Sequence, residues 1–393
     1  MKNIYFDNCK TTKPAPEVIE TVRKYMTEKF YFPENFVQNG TIIQEELRKF
    51  KKTAAETINA GPEEIHFTSG GTAANNIAIK GYLLENTGKN HIICSVVDYP
   101  DLLTNAAFFE KSGFEVTYLK ADHDGFIDLE QLKSALKPNT AMFMTTLVNH
   151  TMGTIQPLSK IRDILSEADH KIVLHVDAGQ AYGKIPIDVE KDKIDLMSVS
   201  GHKIHGPQGI GFLYQRKGIN LGQFMHGIQR IDEHNTGGLS IPAIAGFAEA
   251  IKLTFDNFED NVNHLRRLSN HLLERIKNEI PDILVNGPIG EKRAPHNMNI
   301  SFDYIEGEAI MMMLDMKGIA VATGSACASP GLKPNYILLA TGRNHVQSHG
   351  SMKFTVGRFN TKKEIDYTVD ELKEIVKTLR ERSTLYTKAK ENK

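Results

Sequence analysis

Residues 171–215 read KIVLHVDAGQAYGKIPIDVEKDKIDLMSVSGHKIHGPQGIGFLYQ. Three short apolar runs stand in this stretch, KIVLHVDA, IDLMSVS and GIGFLYQ. The first two break off into polar clusters rich in glycine. Short, near-continuous apolar runs mark strands buried on both faces, which is how the strands of a parallel sheet sit. Lysine ordinarily keeps to solvated surfaces. Lys203 nevertheless comes just past such a run, between Ser200, His202 and a series of glycines. Asp177 ends another, where a carboxylate is costly unless it meets a cation or a strong donor.

Toward the N-terminus the same grammar continues. EIHFTSG, HIICSVV, EVTYLK and AMFMTTLVN read as strands. TAANNIAIKGYLLEN (from Thr72), DLLTNAAFFEKSG, DLEQLKSAL and LSKIRDILSEAD read as helices. Strands alternating with helices of about 10–15 residues predict crossover units and an α/β fold around a mostly parallel sheet. After GLSIPAIAGFAEAIKLTF the pattern shifts to long amphipathic helices. In the last of them Ile365, Val369, Leu372, Val376 and Leu379 recur at helical spacing. The expected division is a large domain over residues 15–257 and a smaller α+β domain built from 1–14 and 258–393. The segment IYFDNCKTT is expected to pack with the smaller domain or beside the site.

Composition excludes several classes of function. A chain of 393 residues can bury two cores. A net charge of −1, with no basic stripe interleaved with aromatics, gives no footing for nucleic acid. No apolar run reaches the length of a membrane span, and MKNIYFDNCK lacks the apolar stretch of a signal peptide. Cys9, Cys94 and Cys327 are odd in number and far apart, which is no disulfide framework. A cytoplasmic enzyme is expected.

Some motifs carry little. GPQGIG does not open a helix after a first strand, so a dinucleotide reading fails. HVQSH (345–349) has zinc-ligand spacing but lacks the glutamate of H-E-x-x-H, and no metal is expected. DHDGFIDLE is too short to wrap calcium and reads as a turn into a helix.

The strand ends carry more, because ligands of open α/β sheets bind beyond the carboxyl ends of the strands. Four runs end in polar clusters: FTSGGTAANN, VNHTMGT, LHVDAGQAYG and VSGHKIHG. Gly70, Gly71 and Thr72 precede a helix whose free N–H groups suit a phosphate. Asp177 is followed three residues later by Gln180, and the last cluster presents Ser200, His202 and Lys203. Singly, Asp177 reads as a turn cap and Lys203 as a solvated lysine. Together, a phosphate cradle, a buried acid and a lysine point to pyridoxal 5′-phosphate joined covalently to Lys203. In VATGSACASPG, small neighbours leave the Cys327 thiol accessible, and a nucleophilic thiol beside this cofactor points to sulfur chemistry.

At this level of detail the chain resembles the cysteine desulfurases of the NifS/IscS kind, in the class V aminotransferase group of fold-type I pyridoxal phosphate enzymes. The likeness spans nearly the whole chain. It rests on YFDN…TT (5–12), FTSGGTAANNIAIKG, GTIQPL, HVDAGQAYGKIPID, SGHKIHGPQGIGFLY, ATGSAC and HGSMKFTVGRFN. The resemblance implies that Lys203 holds the cofactor and moves protons at the substrate α-carbon. By the same resemblance Asp177 binds the pyridine nitrogen, Gln180 the phenolic oxygen, and Gly71, Thr72, Ser200 and His202 the phosphate. Cys327 would take sulfur from L-cysteine, leaving L-alanine and a persulfide for an iron–sulfur scaffold or another acceptor. A homodimer with both sites near the interface is implied as well.

Departures from the family pattern cluster at these positions. Tyr99, in DYPDLL, stands where a histidine usually stacks on the cofactor. His150, in VNHTMG, replaces an asparagine that contacts cofactor and substrate. The two changes together suggest that His150 takes over acid–base work. Lys353, in SMKFTVGR, replaces the arginine that clamps the substrate carboxylate and lacks its bidentate fork. HGIQRIDEHNTGGLSIP replaces a loop ending in R-S-G-T, with Gly238 at the threonine that reaches the partner's phosphate. YFPENFVQNG likewise replaces a Y-G-N-P-S-S-like segment. DNCKTT replaces DNAATT, so Cys9 is either a small buried residue or an extra thiol near the site. These changes keep two other readings open: a related lyase acting on selenocysteine or a modified cysteine, and a degenerate partner protein that binds without turnover.

Overall fold

The structure is a computed structural model that describes residues 3–34, 37–85, 88–223, 225–227, 229–232, 234–236, 238, 240–324 and 334–391. Cys327 lies outside the described residues. All seven apolar runs form strands of one sheet. Across the sheet their order is Ile65–Thr68, Gly211–Gln215, Leu196–Ser200, Val173–Asp177, Thr140–Thr146, His91–Ser95 and Glu115–Leu119. Gly211–Gln215 runs antiparallel to both neighbours, and the remaining pairings are parallel. The exception has a local cause: only residues 201–210 separate it from Leu196–Ser200, too few for a crossover helix.

Register places the polar ends together. Asp177 lies opposite Thr146 on one side and Ser198 on the other. Lys203 follows in a single turn of 3₁₀ helix, Gly201–Lys203. Helices cover both faces. On one side the core includes Val18, Ile43, Phe143, Phe212 and Phe247, and on the other Ile77, Ile79, Leu102 and Phe109.

A second, antiparallel sheet of four strands runs Ile283–Asn286, Asn297–Phe302, Ser351–Thr355, Ala322–Thr323. It packs on Phe258–Glu279 and Lys362–Glu381 through Leu272, Ile300, Phe354, Ile365, Val369, Leu372 and Val376, with Leu379 half-buried at the edge. The N-terminal segment satisfies both expectations for it. Ile4–Tyr5 pairs in parallel with Ile319–Ala320, and Phe6 is buried in this second core. Residues 8–12 then cross to the large sheet, where the Thr12 N–H and hydroxyl both donate to the His202 carbonyl at 2.9 and 2.8 Å. Elsewhere Asp122 accepts from the N–H groups of Asp124 and Phe126, and Asp128 caps Leu129–Ala135, so DHDGFIDLE is a turn into a helix.

Asn8 anchors this crossing. Its buried amide donates to the carbonyls of Thr355 (2.7 Å) and Tyr5 (3.2 Å) and to Asn360 Oδ1 (3.2 Å). Asn8→Ala strands buried acceptors and is expected to cost about 1–3 kcal/mol. A lower denaturation midpoint than wild type checks this, and an unchanged midpoint contradicts it.

Candidate active site

The helix Gly71–Glu85 starts one residue after Gly70, whose φ of +138° lies outside the range of ordinary L-residues. The Gly71 N–H donates to Ser200 Oγ at 3.1 Å, and a Cβ on Gly71 would overlap that hydroxyl. This turn brings a helix N-terminus against the end of Leu196–Ser200. Gly71, Thr72, Ser200 and His202 line one cavity of about 730 Å³ together with Tyr99, Asp177, Gln180 and Lys203. His202 Nδ1 lies 3.1 Å from Thr11 Oγ1. Burial, then the charges of Lys203 and Lys184, pull its pKa down to about 4, so its ring is neutral.

Asp177 is buried but not alone. Its carboxylate accepts from Asn75 Nδ2 at 2.9 Å and from the Gly179 N–H at 2.8 Å. Burial still raises its pKa above the usual carboxylate range. Asn75 is oriented in turn by buried His175, whose Nε2 lies 2.9 Å from Asn75 Oδ1. Asn75 sits inside TAANN, and no local pattern marks it as the partner of a carboxylate a hundred residues away.

Lys203 is half-buried where the two strand-end clusters meet. Nζ donates to the backbone carbonyls of Cys9 (2.5 Å) and Lys10 (2.8 Å). Burial lowers its pKa to about 8; the Cys9 sulfur opposes that shift most strongly, and Lys353 adds to it. Gln180 Nε2 donates to the same Cys9 carbonyl at 2.9 Å.

Tyr99 and His150 meet edge to face with ring centres 4.8 Å apart. Burial pushes the Tyr99 phenol up to about 12. Burial, followed by the charges of Lys353, Lys203 and Lys10, pulls His150 down to about 3, and among the described residues its buried Nδ1 has no partner. Neither ring exchanges a proton near neutral pH in the free site. Burial, and then the lysines around it, disfavour a positive charge on His150 in the free site.

Lys353 faces a second cavity of about 490 Å³, which shares Lys10, Tyr99, Gln180 and Lys203 with the first. Asp7, Cys9, His150 and Asn299 also line it, as do Gly324 and Asn335 on the two flanks of the segment carrying Cys327. The sequence singled out Lys203, Asp177 and Lys353 but missed Asp7, Lys10, Asn75, His296 and Asn299. Gly238 is exposed with φ +101°, a conformation that a threonine would adopt only under strain.

These features describe a lysine-centred cavity, edged by a helix N-terminus, at the carboxyl ends of the strands of an α/β fold. Residues 4–368 match the family model described as Aminotransferase class-V, and the chain belongs to that family. Within it, the chain is 38% identical over 381 residues, 96% of each sequence, to a protein named cysteine desulfurase IscS from Dictyoglomus turgidum. It is also 38% identical to a protein of the same name from Clostridium botulinum, over the full length of both. Among solved structures, a NifS-like protein superposes with a TM-score of 0.90 at 28% identity, covering 96% of this chain and all of that one. A structure of SspA in complex with cysteine superposes with a TM-score of 0.79 at 28% identity, covering 91% of this chain and all of the other.

A depressed lysine is measurable directly. Capture of a small neutral aldehyde at Lys203, followed by borohydride reduction and peptide mapping, is expected to rise with pH through about 8, where the amine loses its proton. Ordinary lysines titrate at about 10.4. A Lys203 profile that follows them contradicts the burial argument.

Proposed function

We propose that the chain is a pyridoxal-5′-phosphate-dependent cysteine desulfurase that converts L-cysteine to L-alanine and leaves the sulfur as a persulfide on Cys327. The observation that carries this reading is the convergence of Lys203, Asp177 and the Gly71–Ser200 cradle on one cavity at the carboxyl edge of the sheet. The donor set fits the cofactor. A helix N-terminus without a side chain at Gly71 suits a phosphate, a buried carboxylate suits a protonated pyridine nitrogen, and a desolvated amine suits an aldehyde. The names of the relatives, and the cysteine held by the similar SspA structure, support the substrate.

When bound, the cofactor supplies an electron sink that makes the substrate α-proton removable at neutral pH. The chain's residues do the rest. Gly71, Thr72, Ser200 and His202 hold the phosphate, and neutral His202 does so as a hydrogen-bonding group. Asp177, fixed by Asn75 and Gly179, keeps its charge aimed at the ring nitrogen, and Gln180 serves the phenolic oxygen. Tyr99 offers a ring face. Lys203, with a pKa near 8, is close enough to neutrality to take and return a proton at the α-carbon. Lys353 meets the substrate carboxylate as a point charge, and neutral His150 offers a hydrogen bond beside it. At Cys327 a sulfur–sulfur bond forms while the substrate carbon–sulfur bond breaks. The persulfide then serves an iron–sulfur scaffold or another thiol acceptor. We further propose a homodimer, a cytoplasmic location, and a division into residues 15–257 and 1–14 with 258–393. The two separate cores support that division. Among the described residues no helix is long and apolar enough to cross a membrane.

The test is alanine and sulfide release from L-cysteine with a reductant present, with L-selenocysteine assayed in parallel. Wild type is expected to release the two products in equal amounts. Lys203→Ala is expected to lose about 10²–10⁴-fold, the usual weight of a positioned acid–base group, and Cys327→Ser to lose sulfide release altogether. Wild-type protein that shows bound-cofactor absorbance but makes no alanine from L-cysteine overturns the reading.

A further inference from the structure

The desulfurase chemistry leaves one nucleophile of the site unused. Cys9 is 3% exposed and lines the second cavity beside Lys10, Lys203 and Lys353. Its surroundings are not those of a packing residue. Sγ lies 3.6 Å from His296 Nε2 and 3.5 Å from Asn297 Nδ2. Both partners come from fully buried side chains at the start of the strand Asn297–Phe302.

The hydrogen-bond network fixes which way these groups face. Gln180 donates its amide nitrogen to the Cys9 carbonyl, so its oxygen is turned to His296 Nε2, 3.4 Å away. Nε2 must then carry the proton, and the same N–H points toward Cys9 Sγ. Asn297 Nδ2 also donates to the His150 carbonyl at 3.3 Å, so reversing that amide would set two oxygens against each other. The sulfur thus faces two N–H donors. A thiolate accepts such bonds well and a thiol poorly.

A second, independent feature points into the same cavity. Asn299 is fully buried and lines it, and among the described residues its Nδ2 has no hydrogen-bond partner. An unused buried N–H donor is costly in an unliganded site. It suits an anionic atom bound in the cavity that Cys9 also lines.

We propose that Cys9 is a second nucleophilic thiol of this site, faced by the N–H donors of His296 and Asn297, that accepts sulfane sulfur from a persulfide. The Cys9 thiolate attacks the outer sulfur of R–S–SH, and a sulfur–sulfur bond forms at Cys9. The bond between R–S and that outer sulfur breaks, and R–S⁻ leaves with the electron pair. The proton stays on the transferred sulfur, so no oxidant or reductant is consumed. The inference rests on the desulfurase reading only for the natural source of the persulfide.

The experiment supplies its own donor. Wild type and Cys327→Ser, each with cofactor, are treated anaerobically with glutathione persulfide, and their cysteine peptides are mapped by mass spectrometry. Cys94, buried in the apolar core with its thiol pushed well up by burial, is the internal control. Cys9 is expected to gain one sulfur in both proteins and Cys94 none. The proposal is overturned if Cys9 gains no more sulfur than Cys94. In a second arm, alkylation of Cys9 in wild type at pH 7 is compared with that in His296→Leu. A fall of about tenfold or more is expected as a donor to the thiolate is lost, and an unchanged rate overturns the assigned role of His296. Failure of the desulfurase reading is seen separately: wild type then makes no alanine from L-cysteine, while Cys9 still takes sulfur from the added persulfide.

Discussion

The site hangs on one contact: the Lys203 ammonium, taken out of water at the end of the central sheet, donating to the carbonyls of Cys9 and Lys10. A buried ammonium is tolerable only where acceptors replace its hydration. Here those acceptors belong to a segment whose other end, Ile4–Phe6, is anchored in the second core and paired with Ile319–Ala320. The same Cys9 carbonyl also receives Gln180, and the Thr12 hydroxyl closes on the His202 carbonyl. The lysine turn and the N-terminal crossing therefore order each other. Loosening the crossing at Asn8 would disturb the lysine as well as the fold.

The second support is the chain His175, Asn75, Asp177, which crosses from the sheet to the helix and back. Burial alone would push Asp177 toward its neutral form. Two N–H donors work against that shift, and a cationic ring nitrogen would complete the compensation. Orientation matters as much as charge: the Asn75 amide can serve Asp177 only while His175 holds its oxygen. A residue far from the substrate thus decides whether the carboxylate is aimed correctly.

Much of this was legible in the sequence, and the reason is range. The strands are apolar runs bounded by glycine and polar residues, so each can be read within its own window. Lys203, Asp177, Gly71 and Ser200 follow because parallel crossover topology forces strand ends to one edge. Asn75, Lys10, His296 and Asn299 were not legible. Asn75 differs from any helix asparagine only in what it faces after folding. His296 and Asn299 enter the site from the start of a strand of the second sheet, and Lys10 from the N-terminal segment that bridges to that sheet at Asp7 and Thr355, far away in sequence. No local pattern encodes that placement. The two possibilities for Cys9, a buried small residue or a thiol at the site, prove compatible: the residue is buried, and it is buried against the site.

Charge balance gives these pieces a common logic. Lys203 and Lys184 are both depressed to about 8 by burial, and among the described residues Lys184 Nζ has no hydrogen-bond partner. Their folded values lie below those of an unfolded chain, so the native state binds fewer protons than the unfolded one between about pH 8 and 10.4. The resulting penalty is fully present below pH 8 and fades as pH rises through that window. At neutral pH the free site is therefore short of negative charge, with Lys10 and Lys353 adding to the excess and Asp7 and Asp177 offsetting part of it. Groups that would restore the balance are anions: a phosphate at the helix end and a carboxylate beside Lys353. The strain that burial places on the lysines is then part of the preorganisation of the site, because it is relieved only by ligands of the right sign in the right places.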